Sequence, residues 1–264
     1  MSDILLETRN GTIANLTLNR PQARNALSLA LLKALESKVI QLGSDPEVHV
    51  ITIAAEGPAF CAGHDLKEIT AGRDASDKGR AFFEETMSIC ASMMQAVVNC
   101  PKPVIASVHA TATAAGCQLV ASCDLAVAST EARFATPGVN IGLFCSTPMV
   151  ALSRNVSRKH AMEMLLTGDL IDAERAVQMG LVNHVVEPDQ LEKATQDLAL
   201  KIASKAPRVL KIGKQAFYAQ AEMPLAQAYD YAAQVMVENL LADDAEEGIG
   251  AFVEKRSPNW QPSD

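Results

Sequence analysis

No run of about 18 apolar residues occurs in this 264-residue chain, so it offers no segment of the length a membrane-spanning helix needs. The first twenty residues lack both the apolar core of a signal peptide and the Arg-rich, acid-poor character of a transit segment, which predicts a cytoplasmic protein. The six cysteines, Cys61, Cys90, Cys100, Cys117, Cys123 and Cys145, form no CxxC pair. In a chain this large they read as reduced core residues rather than a disulfide framework. The five histidines do not fall in ligand spacing with them, so no metal site is expected. No low-complexity tract divides the chain.

What is present is an apolar, acidic sequence. Apolar residues make up 48% and the formal net charge is -8, enough to bury a substantial core and the wrong sign for nucleic acid or an anionic membrane. The expected partner is a small molecule.

Periodicity predicts an α/β protein. Ile13, Leu16 and Leu18 lie in a strand that stops at Asn19-Arg20-Pro21. Ser28 is placed to cap a helix whose buried stripe is Leu32, Leu35, Val39 and Leu42, with Gly43 closing it. A strand follows at His49–Ala55, then the small-residue turn of AFCAGHDLKE (Ala59 to Glu68), which ends in Asp65 where an amphipathic helix begins. Residues 71–79 (AGRDASDKG) read as a mobile loop beside that turn. A helix over Arg80–Cys100 leads to a buried strand, Val104–Val108, and the Ala-rich turn Thr111–Gly116. Alternating strands and helices imply parallel pairing with right-handed crossovers. From Pro148 onward the chain reads as mostly helical, broken at Gly168, Gly180 and Pro188, with one strand at Leu181–Val186. The expected division is an α/β core, residues 1–200, and a helical C-terminal subdomain, residues 201–264, whose apolar faces exceed what it can bury alone.

Two turns share one chemical character. Phe60-Cys61-Ala62-Gly63 and Ala114-Ala115-Gly116-Cys117 each follow a predicted strand and open into a helix, where unpaired N–H groups and the helix dipole favour a developing oxyanion. Small residues there also serve close packing, so either turn alone is weak evidence.

At these residues the chain resembles the crotonase superfamily, the enoyl-CoA hydratase/isomerase fold. LNRPQARNALS (Leu18 to Ser28) resembles the N-terminal signature, AFCAGHDLKE the first oxyanion element and PVIASVHATATAAGCQLVASCDLAVAS the second. EMLLTGDLIDAERAVQMGLVNHVV and EEGIGAFVEKRSPNW resemble the helical tail. Within the superfamily, GCQLVASCDLAVAS with FATPGVNIGLFCSTPMVALSR looks most like the enoyl-CoA hydratase domain-containing protein 3 branch.

The resemblance implies a superhelix of ββα units, assembled as a homotrimer or a dimer of trimers through the tail. It implies a coenzyme A thioester as substrate, with no other cofactor tightly bound, whose carbonyl accepts bonds from the N–H groups of Ala62 and Ala115. It places Arg24 and Lys255 near CoA phosphates and His64, Asp65 and Leu66 in the binding element. Asp65 and Asp124 belong to its scaffold signatures. The family's turn usually has glycine where Ala114 and Ala115 stand.

The departures bear on the reaction. Two glutamates handle water in family hydratases; Gln118 and Gly138 occupy their positions here. A glutamine takes no proton and a glycine has no side chain, so a loss of about 10²- to 10⁴-fold per group leaves hydration slow. Returning glutamate at both positions is expected to raise it about tenfold or more. In the superfamily's dihydroxynaphthoyl-CoA synthases an aspartate stands where Cys145 falls, so the thiol is a candidate acid, base or nucleophile provided its pKa is lowered. Ser146 and Thr147 are weaker candidates. His64 is a candidate proton carrier, and His109 reads as a turn anchor. Two functions follow: an enoyl-CoA hydratase-like lyase or isomerase of weak or altered activity, or a degenerate acyl-CoA-binding or interaction protein.

Overall fold

In a computed structural model, which describes residues 3–260, the chain winds through repeated units that give one strand to a large sheet, one to a small sheet, and then a helix. The opening hairpin is β1 (Leu5–Asn10) and β2 (Ile13–Leu18), followed by α1 (Leu29–Gly43). The first full unit is β3 (Val50–Ala55), β4 (Ala59–Cys61), α2 (Leu66–Gly72) and α3 (Arg80–Asn99). The second is β5 (Val104–Val108), β6 (Thr111–Thr113) and α4 (Ala115–Ser122). The third is β7 (Leu125–Ser129), β8 (Arg133–Ala135), α5 (Ser146–Asn155) and α6 (Arg158–Thr167). The chain continues with β9 (Ile171–Asp172), α7 (Ala173–Met179), β10 (His184–Val186) and α8 (Leu191–Ala203). It finishes with α9 (Pro207–Ala221), α10 (Leu225–Leu240) and α11 (Asp243–Glu254).

Among the described residues the large sheet has the order β1-β2-β3-β5-β7-β10 and the small one β4-β6-β8-β9. β2, β3, β5, β7 and β10 run parallel, as do β4, β6 and β8. Fully buried parallel strands read as apolar runs, and all five residues of β5 are buried.

α1 forms as its sequence dictates. The Ser28 side chain accepts from the Leu31 N–H at 3.2 Å, and Leu32, Leu35, Val39 and Leu42 lie inside the core. Each of those side chains contributes about 1.5–3 kcal/mol by leaving water. The second layer is α8, which lays Leu191 and Ala199 against Ile13, Val50, Ile105 and Val127 on the other face of the large sheet.

Beyond α8 burial thins. α9 contains no fully buried residue, α10 buries only Ala228 and α11 only Ala251. α9 is held by polar contacts instead. Lys214 Nζ reaches Asp124 Oδ2 at 2.6 Å, the Lys102 carbonyl at 3.0 Å and the Val97 carbonyl at 3.2 Å, and Tyr218 donates to Asp124 Oδ1 at 2.9 Å. Burial raises the Asp124 pKa, and Lys214 offsets only part of that. Asp124 also accepts from the Val104 N–H at 2.7 Å, so it joins β5 to the tail as well as serving the core.

Two details go beyond the sequence reading. Residues 73–79 form turns between α2 and α3, as the loop expectation had it, but Ala71 and Gly72 complete α2, and Asp77 ties the corner down by accepting from the Gly79 and Ala81 amides at 2.9 and 2.8 Å at the start of α3. β8 and β9, of three and two residues, were too short for periodicity to register.

Candidate active site

β4, β6 and β8 are parallel neighbours, so the chain leaves all three at one edge of the small sheet. That edge carries Ala62–His64, Ala114–Ala115 and Thr136–Gly138 in succession, a crevice at the carboxyl ends of strands. The first two turns touch. A Cβ on Gly63, whose φ is +94°, would stand 2.8 Å from the Ala114 Cβ and 3.5 Å from the Ala115 nitrogen. A Cβ on Gly116 would lie 2.2 Å from the Cys61 carbonyl oxygen, so only glycine lets α4 pack on the end of β4.

The amide expected from Ala62 is already committed. It donates to the Arg24 carbonyl at 3.0 Å, which removes Ala62 as an oxyanion donor. Leu27 forms a parallel bridge with His64: the Leu27 N–H donates to Gly63 O at 2.8 Å and the Asp65 N–H to Leu27 O at 3.2 Å. In that geometry the His64 N–H points away from Leu27, and it meets no acceptor among the described residues. The Ala115 N–H opens α4 and is likewise without an acceptor among them. His64 and Ala115, not Ala62 and Ala115, are the pair of free amides.

Ala114 turns the chain into α4 at φ 50°, ψ −119°. An L-residue held there stores about 1–3 kcal/mol. Glycine would carry none of it, which is the physical meaning of the unusual Ala-Ala turn.

The N-terminal signature holds the first turn in place. Buried Asn25 donates to the Glu56 and Ala59 carbonyls at 2.7 and 2.8 Å and accepts from the Arg20 N–H at 2.8 Å. Arg20 pairs with Asp65 at 2.9 Å and also donates to the Ala26 carbonyl. Asp65 caps α2 through the Lys67 N–H at 3.1 Å. Its burial pushes the carboxyl pKa up, but Arg20 and the amide outweigh that and hold it low. Glu68 accepts from the Leu29 N–H at 2.9 Å. Sequence reasoning passed over Asn25 and Arg20, although both stand in the signature and buried asparagine is rare without such a task.

The other candidates divide. Gln118, on the first turn of α4, is 5% exposed and its Oε1 has no partner among the described residues. Gly138 cannot carry a larger side chain: a Cβ would meet Leu143 O at 2.7 Å and Cys145 Sγ at 2.9 Å. The expected glutamate rescue at 138 therefore has no room. Cys145 is corrected too. Its sulfur accepts from the Gly138 N–H at 3.3 Å, and burial raises its pKa against that bond. It is a neutral, structural thiol at pH 7 rather than an activated one. Ser146 spends its hydroxyl on the Phe144 carbonyl at 3.3 Å.

Both ring nitrogens of His64 are buried without a well-formed hydrogen bond among the described residues, and burial lowers its pKa against a smaller opposing pull from the Leu27 backbone, keeping the ring neutral. His109 is the anchor its position suggested: Nε2 donates to the Gly57 carbonyl at 2.8 Å. Arg24 and Leu66 are exposed beside the first turn, while Lys255 ends α11, which packs on α10.

A ββα superhelix with paired free amides at adjacent strand ends is the crotonase architecture. The chain belongs to the enoyl-CoA hydratase/isomerase family, whose model matches residues 8–263. It is 50% identical over 248 residues to rat enoyl-CoA hydratase domain-containing protein 3, mitochondrial, covering 94% of this chain and 81% of that one. It is 32% identical to the short-chain-enoyl-CoA hydratase of Clostridium acetobutylicum, over 97% of this chain and 96% of that one. The crystal structure of human enoyl-CoA hydratase domain-containing protein 3 superposes with a TM-score of 0.93 at 47% identity, covering 98% of this chain and all of that one. The enoyl-CoA hydratase structure from Mycobacterium smegmatis gives 0.94 at 48%, over 98% and 99%.

These relatives overturn the cytoplasmic expectation, since the rat, mouse and human proteins are named as mitochondrial. The expectation rested on the character of the first twenty residues alone, and the charge and apolar content of the rest suit any aqueous compartment equally, so nothing in the folded chain could have corrected it.

Proposed function

We propose that this chain is an acyl-CoA thioester-processing enzyme that polarises the thioester carbonyl between the N–H groups of His64 and Ala115. The observation that carries this is the meeting of two unpaired amides at touching turns, one of them opening a helix. Each such donor contributes about 10²- to 10³-fold to a reaction that builds charge on oxygen, so an enolate is the intermediate it favours. The names of the relatives, hydratases of enoyl-CoA, support the substrate class.

Simple hydration is not its main reaction. Gln118 and Gly138 stand where water-handling acids are expected, and Cys145 and the buried His64 ring do not replace them. Coenzyme A enters only as part of the substrate, with exposed Arg24 beside the first turn to meet its phosphates. Lys255 serves the same end from a neighbouring subunit of a homotrimer, alone or paired as a dimer of trimers. Phe217, Leu225, Tyr229, Leu241 and Phe252 on the tail, each more than 60% exposed, are the surfaces such a trimer covers, with the tail from about residue 201 as its assembly subdomain.

Calorimetry with butyryl-CoA tests the reading. Binding that Ala115→Pro weakens is expected; no binding at millimolar ligand overturns it. The missing acids favour one second reading, a protein that binds acyl-CoA without turnover. Exchange of the α-protons of bound butyryl-CoA with heavy water separates the two.

A further inference from the structure

Charge is spread unevenly over this acidic chain. Residues 201–214 (KIASKAPRVLKIGK) hold five basic side chains, Lys201, Lys205, Arg208, Lys211 and Lys214, and no acidic one, although the net charge of the whole is -8. Lys214 is spent on Asp124. The other four are exposed and form no salt bridge among the described residues.

The fold brings these four to one corner. Lys201 is in the last turn of α8, Lys205 follows that helix, Arg208 is in the first turn of α9, and Lys211 stands three residues further on the same face. His49, just before β3, donates from Nδ1 to the Ala203 carbonyl at 3.3 Å, and Lys214 donates to the carbonyl of Lys102, just before β5, at 3.0 Å. The corner therefore sits at the amino ends of β3 and β5, whereas the crevice lies at the carboxyl ends of β4, β6 and β8.

Nothing nearby neutralises it. Lys102 adds a further cation: burial lowers its pKa most, and Lys211 pushes the same way against Cys100 and Asp45. The bordering acids are occupied, Asp45 by Arg9 at 2.7 Å and Asp197, one turn before Lys201, by Lys193 at 2.5 Å. Helix stability does not explain the charges either, since Arg208 stands in a first turn that holds no acid and where the helix dipole disfavours a cation.

The spacing selects the kind of anion. Three lysines and one arginine strung along two helix ends, with no aromatic among them, offer point charges to a diffuse sheet of phosphates rather than a fork for one phosphate or a stacking platform for bases. α9 also buries no residue fully, and a cluster of four or so cations on an amphipathic helix is an arrangement that attracts anionic lipid.

We propose that the corner between α8 and α9 is a peripheral docking surface for an anionic phospholipid membrane, with Lys201, Lys205, Arg208 and Lys211 against the headgroups. The chain as a whole has the wrong sign for such a surface, so contact is confined to this corner and weakens as salt screens it. The proposal stands independently of the acyl-CoA reading.

The test is flotation of the full chain with vesicles of phosphatidylcholine alone and with vesicles of equal parts phosphatidylcholine and phosphatidylserine. Binding to the anionic vesicles at low ionic strength, lost as salt rises, and none to the neutral ones is the expected result. Each basic residue near such a surface contributes about fivefold, so Lys205→Gln, Arg208→Gln and Lys211→Gln together should weaken binding by about a hundredfold. Lys78→Gln, Arg158→Gln and Lys159→Gln together remove the same charge from exposed positions elsewhere and should leave binding within about threefold of the parent. Absence of binding to the anionic vesicles at low salt, or an equal loss in the two triple variants, overturns the proposal. A chain that ignores both vesicles but binds double-stranded RNA through the same residues overturns it in favour of a different anion.

Discussion

A single amide decides how the site is read at the scale of residues. Ala62 and His64 are two positions apart in one turn, and only the parallel bridge to Leu27 shows which of them has a free N–H. Sequence position alone does not reveal where a backbone amide points, so the donor was misplaced although the turn itself was found. The glycine at 138 and the alanine at 114 yield opposite predictions. Gly138→Glu should lower stability by about 1–3 kcal/mol, the usual cost of overpacking, and should not raise crotonyl-CoA hydration, alone or with Gln118→Glu; a hydration gain of tenfold in the double variant would refute the packing argument. Ala114→Gly should raise stability by about 1 kcal/mol in urea denaturation, because the relieved strain exceeds the added freedom of the unfolded chain. His64 gives a pH signature. Its pKa is lowered by burial from the ordinary 6.5, so the unfolded chain takes up the proton first and the folded state loses stability as pH falls below that value, down to the folded pKa. The His64→Gln variant should show a smaller loss over this acid range than the parent does, measured by paired denaturation curves.

Among elements, those set by strong local chemistry were legible. The Ser28 cap and the Leu32, Leu35, Val39, Leu42 stripe gave α1, the apolar run gave β5 with its observed ends, and Asp65 marked the start of α2. Segments whose shape depends on distant partners were not. β8 forms on the edge that β6 offers and β9 on the edge of β8, and the Asp77 cap turned a stretch of polar residues into a fixed corner. The attachment of α9 was equally hidden, since nothing near Lys214 in sequence announces Asp124. Lys214→Met leaves that buried carboxylate without its cation, with only the Tyr218 hydroxyl and the Val104 N–H still donating to it, which should cost about 3 kcal/mol and loosen α9 from the core. Limited proteolysis should then cut near Ser204–Ala206 well before it cuts the parent; an unchanged digestion pattern would show that apolar contacts hold the tail instead.

Assembly and chemistry meet at the level of the whole molecule. The tail leaves Leu225 at 75%, Leu241 at 76% and Phe252 at 84% exposure, a surface that a lone chain has no means to cover. Light scattering should return three or six copies at micromolar concentration, and a monomer would contradict the proposed role of the tail. The central claim is that the thioester carbonyl lies between the His64 and Ala115 amides. It is tested most directly by isotope-edited infrared spectroscopy of bound butyryl-CoA labelled with carbon-13 at the carbonyl. The expected stretch lies at lower frequency than in water and moves back toward the solution value in Ala115→Pro, where one donor is gone. A carbonyl at its solution frequency in the parent, or a shift that the proline substitution leaves unchanged, would contradict it.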